Sequence, residues 1–113
     1  MGCASSTEAT STFSLTVNNK LSWCTVSVLA PTNVTLPNGG TATTNTITLA
    51  AGTIVSLHAE PGQDFIWASS SAQGGWSGDL DVGTDPISKT IAVTLTSNKT
   101  VAVCCPFPSG TGC

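Results

Sequence analysis

The chain of 113 residues contains no arginine and no tyrosine, and only three basic residues, all lysine. Charged residues make up 8% of it, and the formal net charge is −3. Phosphate recognition needs clustered Lys and Arg, so nucleic acid is excluded as a partner, as is a polybasic membrane-surface contact. No apolar run is long enough to span a bilayer. No segment sustains a helical period. Histidine occurs once, at His58, and there is no Cys-x-x-Cys pair, so zinc spacing is missing. A nucleophilic site needs a base beside a Ser or Cys, and His58 sits in an alternating strand on its solvent side. The expectation is a protein without catalytic activity and without a cofactor.

What is present is Thr, Ser, Gly and Val. The β-branched residues favour strands, and one domain fits the length. Residues 1–12 are small and polar with no apolar period, and read as an N-terminal arm. Residues 13–105 alternate as a β-domain, and residues 106–113 form a Pro/Gly-rich irregular tail. Phe13, Leu15 and Val17 share one face, followed by an Asn18-Asn19-Lys20 turn. Cys24, Val26 and Val28 form a second set. Residues 46–49 and 53–59 are further strands, the latter with Val55, Leu57 and Ala59 opposite Ile54, Ser56 and His58. Phe65 and Trp67 read as a short strand. Ile91, Val93 and Leu95, then Val101, Val103 and Cys105, form a pair joined by a Ser97-Asn98-Lys99 hairpin turn. The fold class is all-β, a small antiparallel β-sandwich or open barrel.

Five cysteines, Cys3, Cys24, Cys104, Cys105 and Cys113, point to disulfides in an oxidising compartment. The odd count leaves one for a partner chain, a lipid or a free thiol. Cys24 shares parity with Val26 and Val28, and Cys105 with Val101 and Val103. Both are expected to face the core and to pair with each other. Cys104 then points outward, toward Cys113 or toward Cys3 of a neighbour. Met1-Gly2-Cys3 leads directly into polar sequence, which fits numbering after removal of a signal segment or another export route. Gly2-Cys3 also fits a lipoprotein cleavage scar, with Cys3 lipidated.

Residues 51–103 carry four motifs in order. They are Ala51-Gly52-Thr53-Ile54-Val55-Ser56-Leu57-His58-Ala59-Glu60-Pro61, Phe65-Ile66-Trp67, Gly75-Trp76-Ser77-Gly78-Asp79 and Asn98-Lys99-Thr100-Val101. In this order they resemble the divergent internalin B-type repeat, or bacterial repeat domain, and residues 13–28 fit its first hairpin more loosely. The resemblance implies a compact extracellular or cell-surface β-module that serves as a spacer or display unit, without catalysis. It implies that Trp76 and Trp67 occupy core positions, and that Trp76, Gly78 and Asp79 build a structural turn. It also places Cys105 where the family has an apolar aromatic. The chain departs from the family in being a single copy, in an insertion at residues 68–74, and in its cysteines, arm and tail.

Three further groups carry possible chemistry. Asp79, Asp81 and Asp85 alternate around Gly83 as hard-cation ligands do, although position twelve from Asp79 is Thr90 rather than the Glu of an EF-hand. The competing reading is a polar turn whose carboxylates cap backbone amides. Trp23, Phe65, Trp67 and Trp76 offer a carbohydrate-stacking surface, and Trp23, out of phase with its strand, suits a subunit contact. Asn33 and Asn98 head glycosylation sequons. The function expected first is a structural subunit of an extracellular fibre or sheath, a homopolymer joined head-to-tail through the arm and disulfides. A monomeric surface-anchored spacer or adhesin, a lipoprotein if Cys3 is lipidated, is the alternative, and a carbohydrate- or calcium-binding module is the third.

Overall fold

The computed structural model describes residues 11–109 and Cys113. Seven strands follow one another: β1 (Thr12–Asn19), β2 (Cys24–Ala30), β3 (Thr44–Ala50), β4 (Ile54–Pro61), β5 (Gly75–Gly78), β6 (Thr90–Thr94) and β7 (Lys99–Cys104). One sheet has the order β3-β1-β7-β5 and the other β2-β4-β6. They pack together as a small β-sandwich and do not close into a barrel. Alternation explains the layering: Leu15, Val17, Val26, Ile47, Val55, Leu57, Ala59, Ile91, Val93, Val101 and Val103 all turn into one buried core. Thr, Ser and the charged residues of the same strands face outward.

Consecutive strands never lie in the same sheet. The expected hairpins are therefore crossings between layers. Ser97 and Asn98 carry the chain from β6 in one sheet to β7 in the other. The Asn18-Asn19-Lys20 segment ends β1 and leads through a short 3-10 turn (Lys20–Ser22) across to β2. Leu21 and Ser22 take left-handed backbone angles, φ 59° and 58°, to make that crossing. Alternation decides which face of a strand is buried and leaves its hydrogen-bonded neighbour open. Each strand here finds that neighbour far away in sequence. The sheets are also not purely antiparallel, because β1 and β7 run parallel, with Val17 beside Val101.

The short strand expected at Phe65 and Trp67 does not form. Gly62 N–H donates to the Trp23 carbonyl (2.8 Å), Ile66 N–H to Pro106 (2.9 Å), and the Trp67 indole N–H to Ile87 (2.6 Å). These bonds reach three separate segments and so build no ladder. The domain also extends beyond residues 13–105. The Ser11 carbonyl accepts from Ala51 N–H at 2.8 Å, β1 begins at Thr12, Pro106 is buried, and Cys113 is covalently tied back. The arm boundary falls at Ser11, because pairing with β3 continues through that residue.

Two buried polar side chains finish the ends of the sheets. Asn19 pairs with the β2 backbone as a strand would: its Oδ1 accepts from Cys24 N–H (3.1 Å) and its Nδ2 donates to the Cys24 carbonyl (2.6 Å). Asn45 accepts from Asn38 N–H (2.6 Å) and donates to the Gly39 carbonyl (2.9 Å). Burial without these partners would cost about 1–3 kcal/mol per group.

Candidate functional site

The four described cysteines gather at one end of the sandwich. Cys24, at the start of β2, is bonded to Cys105, just beyond β7, with Cα atoms 5.4 Å apart. The bridge therefore staples one sheet to the other at the same end as the Asn19 contact. Cys104 is bonded to Cys113, nine residues later. Of the two partners expected for an outward Cys104, Cys113 and a neighbour's Cys3, the structure has Cys113, and the Cys104 side chain is buried beneath it. Gly74 lies so close that a Cβ there would stand 2.6 Å from the Cys104 carbonyl oxygen. Gln73 and Gly74 thus lie against this disulfide. Cys3 lies outside the described residues, and the two bridges use the other four cysteines.

Beside this end, Trp23 stacks on Phe65 at 4.8 Å between ring centroids, and Phe107 tilts against both at 4.5 and 5.2 Å. The aromatic set read from the sequence is divided by the fold. Trp76 belongs to the core, Trp67 packs partly against it, and Phe107 from the tail joins the cluster instead. The Pro106-Phe107-Pro108 segment gave no period to place it. Trp23, out of phase with its strand, is half-buried because Phe65 and Phe107 cover it. A sugar needs a free ring face, and these rings spend faces on one another.

The acidic segment acts as a set of backbone caps. Asp79 Oδ2 accepts from Thr100 N–H at 2.9 Å. Both Asp81 oxygens accept from Thr94 N–H (3.0 and 3.1 Å), and Oδ2 also accepts from its hydroxyl at 2.7 Å. Asp85 Oδ1 accepts from Ile87 N–H at 3.1 Å. The carboxylates thus serve different strands and turns, and no cation-holding group of three or more His, Cys, Asp or Glu occurs among the described residues. Gly78, at φ +97°, allows the turn: a Cβ there would collide with the Thr100 carbonyl oxygen. Gly78→Ala is expected to lower stability by about 1–3 kcal/mol, measured by denaturant unfolding. An unchanged midpoint would show that the turn relaxes freely.

His58 is held at both ring nitrogens, with Thr90 Oγ1 2.7 Å from Nδ1 and Glu60 Oε2 2.6 Å from Nε2. Lys89 Nζ donates to the other Glu60 oxygen at 3.1 Å. The His58 hydrogen bond, followed by that of Lys89, holds the Glu60 carboxyl below its ordinary range. A shallow cavity of about 340 Å³ beside Cys104 and Cys113 is lined by Lys20, Gln73, Gly74 and the Trp76 segment, without a base and nucleophile in contact. Of the two sequon residues, Asn33 is exposed, while Asn98 Oδ1 accepts from Ser14 N–H at 2.9 Å. No helix is long and apolar enough to cross a membrane among the described residues, and the two disulfides fit an oxidising compartment. Comparisons with protein-family models, curated proteins and solved structures found no match, so the internalin B-type resemblance rests on the chain's own motifs.

Proposed function

We propose that this protein is a structural subunit of an extracellular fibre or sheath, a homopolymer assembled head-to-tail through its N-terminal arm. One observation carries the reading: the side chains that could do chemistry are spent on holding the fold. The three aspartates of the acidic segment cap backbone amides, His58 and Glu60 hold each other, and four cysteines staple the sandwich. With 8% charged residues, little remains to keep isolated copies apart by charge repulsion. The arm has one charge, at Glu8, and no apolar face with which to build a core of its own. Asn33, exposed in the loop between β2 and β3, is the better glycan acceptor of the two sequons under this reading. The internalin B-type resemblance supports a surface role of the same kind.

Removal of residues 1–10 tests this. The cut stops before Ser11 because its carbonyl accepts from Ala51 N–H. The intact chain is expected to sediment as polymers under non-reducing conditions, and the truncated chain as a folded monomer. Polymers from the truncated chain, or a monomer from the intact one, would leave the surface-anchored spacer or adhesin as the reading.

A further inference from the structure

A β-sandwich with open sheets has four edge strands, and each edge strand turns alternate N–H and C=O groups away from its partner. Here the edges are β3, β5, β2 and β6. On three of them the chain itself takes outward groups, and among the described residues both groups stay open only at Val28 of β2 and Ala92 of β6, one residue on each strand. On β2, Asn19 takes both outward groups of Cys24, and the Gly40 carbonyl accepts from Val26 N–H at 2.9 Å. This strand is further broken by a register shift between Val28 and Ala30 and is followed by Pro31. On β5, Trp76 N–H donates to the Pro86 carbonyl at 2.7 Å, and the Gly78 carbonyl accepts from Leu80 at 2.9 Å. On β6, Asp81 takes Thr94 N–H, and Ser88 Oγ donates to the Thr90 carbonyl at 2.8 Å.

The remaining edge, β3, is different. The bonds from Ala51 N–H to Ser11 and from Asn19 N–H to Thr43 bracket its ladder with β1. In the continuous register between them, Asn45, Ile47 and Leu49 are the residues bonded to β1. Thr44, Thr46, Thr48 and Ala50 therefore turn their backbone groups outward. Asn38 takes the Thr44 carbonyl and Thr53 takes that of Ala50. No described residue bonds to the outward N–H or C=O of Thr46 or Thr48. The strand has no charge, no proline and no bulge, the devices by which edges are normally closed to pairing.

We infer that this edge, centred on Thr46 and Thr48, is the acceptor for residues 1–10 of a second copy, which add to it as a further strand. This rests on the fibre reading above and names its acceptor. The arm lies outside the described residues, and its sequence suits backbone pairing: it has Thr7 and Thr10, no proline and a single acid, Glu8. Ten extended residues reach about 33 Å, more than the roughly 13 Å that four strand residues span. The arm joins the domain at Ser11, beside Ala51 and so at the C-terminal end of β3. Pairing with its own β3 would require the arm to double back. An arm continuing outward from Ser11 would instead meet another copy. Donor and acceptor are then different surfaces, so the contact is head-to-tail and leaves a free donor and a free acceptor at the two ends of an open chain of copies.

Site-resolved amide hydrogen exchange on the full chain tests the acceptor. In dilute, unassembled protein the Thr46 and Thr48 amides should exchange quickly and those of Ile47 and Leu49 slowly. On assembly the first pair should become protected. Thr48→Pro removes one outward N–H without touching the ladder to β1. It is expected to raise the concentration needed for assembly about tenfold, the weight of roughly one backbone hydrogen bond and a displaced ring. Slow exchange at Ile47 and Leu49 confirms that the variant is folded. If it is not, the double substitution T46K/T48K, which charges the edge, takes its place with the same expected result. Polymers with unprotected Thr46 and Thr48, or unimpaired by these substitutions, would overturn the acceptor and leave the fibre reading standing. A closed dimer with both amides protected would replace the arm by a second β3, and a monomer with both protected would place the arm on its own domain. A monomer with both amides open at every concentration would overturn the acceptor and the fibre reading together.

Discussion

Trp76→Ala is expected to destabilise the domain by about 3–5 kcal/mol, a large fraction of what a small domain possesses. The indole is 2% exposed and lies in the core on β5, in register with Val103 of β7. β5 has only four residues, so Trp76 is the one large side chain that this strand contributes to the core. Its Nε1 is buried without a hydrogen-bond partner among the described residues, which subtracts from what the ring contributes. Trp76→Phe should therefore lose much less than Trp76→Ala, since it keeps most of the apolar volume and removes the unpaired N–H. Denaturant unfolding of both variants measures this directly. An unchanged midpoint for Trp76→Ala would mean that the indole serves a surface and not the core.

Removal of the Cys24–Cys105 bridge as Cys24→Ala with Cys105→Ala should cost about 2–5 kcal/mol, because the bond closes a long loop in the unfolded chain. The residues are 81 apart in sequence, and the bond joins the two sheets. A drop in melting temperature on the order of 10 °C or more is expected. The Cys104–Cys113 bridge spans only 9 residues, so the same treatment there should cost less. Equal losses from the two pairs would contradict the view that the bridge between sheets is the principal staple.

The face of each strand was legible in the sequence because alternation reports burial directly. Val55, Leu57 and Ala59 are buried while Ile54 is 58% exposed, and the parity of Cys24 and Cys105 placed both sulfurs in the same core. The choice of neighbour was not legible. The link through Ser97 and Asn98 has hairpin length, yet it joins strands of different sheets, since β6 finds its partner in β4 and β7 finds its partners in β1 and β5. The edge covers were hidden for a related reason. Asn19, Asp81 and Pro86 act on residues that only the folded chain brings near them, and nothing in their local sequence distinguishes them from ordinary turn residues. That β3 alone has two successive outward residues open, Thr46 and Thr48, is visible only once the other three edges have been compared with it. Phe107 escaped because a proline-flanked aromatic in a tail has no periodicity to assign it to a face.

The central claim is that the intact chain is built to join copies of itself. Sedimentation of the purified full-length protein under non-reducing conditions, across a range of concentrations, measures that most directly. The account predicts species much heavier than the 11.3 kDa chain, growing with concentration without a closed end point. A single 11.3 kDa species at every concentration would contradict it.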